Sequence, residues 1–170
     1  IVFDSNKPSN ASSNVNIESM SAQTAEYDKD IAALTTCGYL LSGYTFKGWS
    51  TTSTGTGEYL DGAKVEKDTI NSGYTEATKG GDYTLYAVWE ANSYTISIDE
   101  NIQKGMGVLD QVTGNADITV VFDGAVEGTP VLTAPGYTYL GLYIGDAKLY
   151  EPNGTLNDVP GYVSNGKWVK

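Results

Sequence analysis

The chain has 170 residues, 40% hydrophobic and 18% charged, the composition of a folded globular protein rather than a disordered one. Its formal net charge is −11 and all ten basic residues are lysines. There is thus no basic face to displace phosphate counterions, and neither nucleic acid nor an anionic membrane is an expected partner. No stretch reaches the roughly 18 apolar residues of a membrane span, so no membrane insertion is expected. Length permits one domain or two small ones. No basic-then-apolar leader precedes Ile1, and targeting signals are expected outside this segment.

In chain order, Val2-Phe3-Asp4 reads as an opening strand, and Ala22 to Tyr27 as a strand-like run leading to Asp28. Asp30-Ile31-Ala32-Ala33-Leu34 predicts a short helical turn capped by Asp28 or Asp30 and ended by Thr35, Thr36 and Gly38. Gly43-Tyr44-Thr45-Phe46-Lys47-Gly48-Trp49 follows. Tyr44 and Phe46 are expected on one side of that strand and Trp49 on the other. Gly48 permits a bulge or a close approach by a neighbouring ring or backbone. Ser50 to Gly57 contains only Ser, Thr and Gly and predicts a surface loop, as do residues 71–82.

Tyr83 to Trp89 is a strongly β-prone run with Leu85, Ala87 and Trp89 on one face, Tyr86 and Val88 on the other, and cover expected on both. Tyr94, Ile96 and Ile98 alternate with Thr95, Ser97 and Asp99, the period of a half-buried strand. Ile118 to Phe122 reads as a strand covered on both faces and ending at the Asp123-Gly124 turn.

The chain repeats itself. The 43–49 segment returns as Gly136-Tyr137-Thr138-Tyr139-Leu140-Gly141-Leu142. Upstream, Phe3-Asp4-Ser5-Asn6 matches Ile98-Asp99-Glu100-Asn101. Downstream, Tyr59 to Gly62 matches Tyr150 to Gly154. The three matches fall in order along the chain, which predicts two units, 1–91 and 92–170.

The residues of catalysis are largely missing. With no histidine, no Ser-His-Asp, Cys-His or His-ligated metal arrangement is possible. Cys37 is the single cysteine, with no disulfide partner in the chain and no histidine to activate it. It is expected to be a small buried hydrophobe. No arginine clamp, P-loop or G-x-G-x-x-G is present; Gly105-Met106-Gly107 lacks the remaining glycine. Paired carboxylates could hydrolyse glycosides, but none sits in a motif. Asp28-Lys29-Asp30 fails the EF-hand pattern at Ala32 and Ala33, and Asn157-Asp158 is read as a turn. No cofactor and no metal are expected. A Lys–Asn isopeptide would need a buried Lys and Asn beside an acid.

The order Phe3-Asp4, Ala22 to Asp28, Gly43-Tyr44-Thr45-Phe46-x-Gly48-Trp49, Tyr59-x-Asp61-Gly62-Ala63 and Leu85-Tyr86-Ala87-x-Trp89 resembles the internalin-B B-repeat, or Listeria–Bacteroides repeat, family. It covers nearly all of residues 1–90. Residues 94–170 are a diverged copy or a related β-domain, with Leu142 at the tryptophan position and an additional segment at about 102–117. The resemblance implies an α+β, mainly β, class with two tandem β-grasp-like domains. It further implies an extracellular or wall-attached bacterial setting, and a non-catalytic spacer or adhesion role toward a host or cell-surface protein. From the residues themselves, Tyr44, Phe46, Trp49, Leu85, Ala87 and Trp89 are expected to form the structural core. The alternative function is carbohydrate binding on exposed tyrosine and tryptophan rings.

Overall fold

β-Branched and aromatic runs form the strands, and Gly, Asn and Asp punctuate them. A computed structural model describes residues 1–16, 19–68, 81–101, 112–114 and 116–170. The chain divides into two units, Ile1–Glu90 and Ala91–Lys170. The class is mainly β: nine short strands in four small sheets, with Lys67 and Asp68 alone helical among the described residues.

In the first unit, β1 (Val2–Asp4), β2 (Tyr44–Ser50) and β3 (Thr84–Ala91) make one sheet in the order β1-β3-β2. β1 lies parallel to β3, with Phe3 opposite Leu85. β3 is central, which fits its nearly unbroken apolar sequence. Leu85 and Ala87 are buried, whereas Tyr86 and Val88 are half-covered. Irregular chain supplies the rest of the core: Ile31, Leu34, Tyr39 and Val65 pack with Phe3, Trp49, Leu85 and Ala87. The Tyr39 hydroxyl donates to the Phe3 carbonyl at 2.7 Å, so this buried polar group is satisfied.

The helical turn expected at 30–34 is absent. Ile31 instead exchanges two 2.9 Å backbone bonds with Val65, and the Leu34 N–H donates to Ala63. Long-range pairing that buries both Ile31 and Leu34 overrides a weak local helix preference. Asp30 accepts from the Lys67 N–H rather than capping its own segment. Ala22 to Tyr27 forms no strand; there Gln23 exchanges backbone bonds with Ile1.

The second unit contains β4 (Ser93–Ile96) antiparallel to β5 (Ile118–Val121), β6 (Leu142–Ile144) with β7 (Ala147–Tyr150), and β8 (Val163–Ser164) with β9 (Lys167–Trp168). β5 is covered on one face only: Ile118 and Val120 are buried, Thr119 and Val121 exposed. That corrects the expectation of cover on both sides, and a two-stranded sheet with one core beneath it accounts for the alternation. Its core joins Ile118, Val120, Leu149, Tyr150, Val159, Val163 and Trp168.

The β8–β9 hairpin turns on Asn165-Gly166, both at positive φ (51° and 71°), the Asn-Gly pair that a two-residue turn prefers. The Asp158 carboxylate accepts both turn N–H groups, at 2.9 and 3.1 Å. The loop expected at 71–82 lies, apart from Gly81 and Asp82, outside the described residues. So do Gly105-Met106-Gly107 and most of 102–117.

Candidate functional site

Of the residues expected to form the core of the first unit, Phe46, Leu85, Ala87 and Trp89 gather with Trp49 in one cluster. Trp49 is fully buried. The Phe3, Phe46 and Tyr39 rings surround it at centroid distances of 4.7, 5.0 and 6.3 Å, in the tilted and edge-on arrangements that aromatic quadrupoles favour. Phe46 also meets Trp89 at 5.7 Å. Tyr44, Phe46 and Trp89 are half-buried, and the Trp89 Nε1–H donates to the Ser5 carbonyl at 2.7 Å.

Trp49 does not take the opposite face from Phe46 as strand alternation predicts. Both rings pack on one cluster, because the backbone changes course at Gly48, whose φ is +145°. A Cβ there would lie 2.5 Å from the Tyr59 carbonyl oxygen, which in turn accepts from the Trp49 N–H at 2.7 Å. The bare α-carbon thus lets the Tyr59 backbone close over the strand.

The second unit uses the same device at the matched positions. Gly136 has φ +79° where Gly43 has +81°, and Gly141 has φ +116°. A Cβ on Gly141 would press on the Tyr150 carbonyl, under the 3.0 Å that real side chains respect. Leu142 pairs with Tyr150 as Trp49 bridges Tyr59. The turns at Asn6 and Asn101 also agree: each has a positive φ and donates its N–H to an aspartate two residues back, at 2.7 and 2.8 Å.

The pairing of the opening strand differs. In the second unit it is Phe122, not Ile98, that bridges the closing tryptophan Trp168 in parallel. Val121-Phe122-Asp123 copies Val2-Phe3-Asp4 letter for letter, outside the three ordered matches read from the sequence.

A groove of about 700 Å³ opens in the second unit. Tyr137, Tyr139 and Tyr143 line it together with Leu132, Leu140 and Leu142, and the Asp99 to Asn101 turn borders it. Tyr137 and Tyr143 are each 48% exposed and Leu140 is 67% exposed. The Tyr139 hydroxyl donates to the Pro130 carbonyl at 3.0 Å, which holds that ring in place. By contrast, Trp49 and Trp168 are buried and Trp89 is half-covered, so the exposed aromatic surface is tyrosine.

Other candidates have local partners. Asp28 pairs with Lys67 at 2.9 Å and Asp30 with Lys64 at 3.0 Å. Among the described residues no three His, Cys, Asp or Glu gather to hold a metal. Cys37 is half-buried, and that burial pushes its thiol pKa up, away from the thiolate.

Lys148, Glu151 and Asn157 do meet. Glu151 accepts from the Lys148 ammonium at 3.1 Å and from the Asn157 amide at 3.0 Å. An isopeptide would need an uncharged amine, yet Lys148 is 32% exposed and Glu151 raises its pKa. The trio therefore braces a turn as charge-assisted hydrogen bonds.

No family model matches the chain, and no solved structure matches it. Over 122 residues, 68% of the chain, it is 30% identical to a protein of Evansella cellulosilytica named as a Gly-rich membrane protein. The matched region is 12% of that relative's length. Among the described residues no helix is long and apolar enough to cross a membrane.

Proposed function

We propose that the chain is a pair of non-catalytic structural modules from a bacterial surface or secreted protein, serving as a spacer or a protein-contact element. In fold terms each unit is a diverged β-grasp-like repeat. The carrying observation is that one backbone device, a positive-φ glycine pressed against a tyrosine carbonyl, recurs at Gly48 and Gly141 in units with different interiors. In both units a Val-Phe-Asp segment pairs in parallel with the closing aromatic segment, which supports the reading of a shared plan.

The test is to express residues 1–91 and 92–170 separately. Each is expected to give a cooperative thermal melt, and neither to turn over glycoside or ester substrates. If neither fragment folds alone, or if either turns over such a substrate, the reading is wrong.

A further inference from the structure

We infer that the first unit bears tension along the chain and that the second unit yields to tension first, giving the module one stiff segment and one extensible one. This rests on the reading of the chain as a spacer, which is pulled from both ends, and says which mechanical property each unit supplies.

Strand direction decides how a pull reaches the hydrogen bonds. In the first unit the opening strand β1 lies parallel to the closing strand β3, with Val2 opposite Thr84 and Asp4 opposite Tyr86. The chain therefore enters at one end of the pair and leaves at the other, and a pull slides β1 along β3. Parallel ladder bonds are evenly spaced along the strands, so sliding strains them together. The row continues past β1. The Val2 N–H donates to the Tyr83 carbonyl at 2.8 Å, the Asn6 side-chain amide to the Ala87 carbonyl at 2.9 Å, and the Trp89 indole N–H to the Ser5 carbonyl at 2.7 Å. Residues 2–6 are thus fixed to residues 83–89 by backbone and side chains alike.

The second unit has the opposite geometry. β4 lies antiparallel to β5, with Ser93 opposite Val121, and Phe122 just beyond β5 bridges Trp168 in parallel. β4 and β9 therefore run antiparallel to each other, and the chain enters and leaves this unit at the same end. Both of its ends meet one short segment there. The Phe122 N–H donates to the Asn92 carbonyl at 2.9 Å, and the Asp123 N–H to the Trp168 carbonyl at 2.8 Å. A pull separates Asn92 from Trp168 across the strands, so the bonds open in turn, from Ser93 and Val121 toward Ile96 and Ile118. Among the described residues no parallel pair joins β4 to β9. Forced opening is governed by the unfolding barrier, which is lower at a given force when bonds break in turn than when they break together.

The experiment holds the full 170-residue chain in optical tweezers, with handles on Ile1 and Glu90 in one arrangement and on Ser93 and Lys170 in the other. Opening the first unit is expected to take several times the force that opens the second. Trp89→Phe keeps a ring beside Phe46 and removes the N–H that reaches Ser5, and Asn6→Ala removes the amide that reaches Ala87. At constant force each variant is expected to speed opening of the first unit about fivefold, the effect of one lost hydrogen bond, and to leave the second unit's rate unchanged. The inference is overturned if the second unit withstands as much force as the first, or if both variants open the first unit at the parent's rate. Should a variant fail to fold, the comparison of the two arrangements in the parent chain decides the matter. Equal forces with both fragments still melting cooperatively defeat the mechanical inference alone, whereas fragments that do not fold defeat the module reading, so the two failures are distinguishable.

Discussion

The two units solve one backbone problem and two different packing problems. In the first, a kink at Gly48 turns Trp49 inward onto Phe3, Phe46 and Tyr39, and the sheet closes with the parallel β1–β3 pair. In the second, the equivalent kink at Gly141 delivers only Leu142, which is partly covered. The core is built instead from Tyr150, Leu149, Val120 and Trp168. Backbone geometry is thus separable from the side chains it carries. A strand can keep its bend while the ring that filled the bend is lost.

The largest expected effect breaks the comparison at its centre. Trp49→Ala should destabilise the first unit by roughly 3–5 kcal/mol, the range for deleting a buried aromatic, and leave the second unit's transition in place. Trp49 Nε1 has no hydrogen-bond partner among the described residues, so packing alone is removed. Differential scanning calorimetry of the full chain would read this as the loss or downward shift of one of two transitions. A uniform shift of both would mean that the units are not energetically separate.

The next experiment sharpens it. Gly48→Ala and Gly141→Ala each force a Cβ onto a backbone carbonyl at a φ that side chains rarely adopt. Each should cost about 1–3 kcal/mol from backbone strain, in its own unit only. Denaturant melts in which one glycine is sensitive and the other silent would show the shared geometry to be incidental in one unit.

The smallest effect is on the acid side of the second unit. Backbone N–H groups of Asn165 and Gly166 hold the Asp158 carboxyl below the usual aspartate range. A depressed folded-state pKa gives stability that is present above the ordinary aspartate pKa of about 4 and is lost as pH falls through the folded value. Asp158→Ala should therefore lower the second unit's Tm slightly at neutral pH and flatten its dependence below about pH 4. An unchanged acid limb of the melting profile would count against the turn contributing.

The strands with dense aromatic and β-branched patterning were legible from the residues: Tyr44 to Trp49, Leu85 to Trp89, and Ile118 onward. So was the special role of Gly48. What was not legible depends on distant partners. Ile31 finds Val65, which no local window contains, and the expected helical turn gives way. Trp89 was expected in the interior, yet it stays half-covered, with its indole N–H reaching the Ser5 carbonyl. The groove was invisible because its tyrosines resemble core residues of a strand until the space beside Leu142 is known. Two further signals lie in the residues themselves: Asn165-Gly166 as a hairpin turn, and the second Val-Phe-Asp at 121–123.

The clamp on that Asn-Gly turn also bears on how the protein ages. An asparagine followed by glycine is prone to succinimide formation, in which the glycine nitrogen attacks the asparagine side-chain carbonyl and ammonia leaves. Here the Gly166 nitrogen is engaged by the Asp158 carboxylate, and its proton must be released before it can act as a nucleophile. Slow isomerisation at residue 165 should accordingly track opening of the β8–β9 hairpin, making the chemical lifetime of this bond a clock for local unfolding.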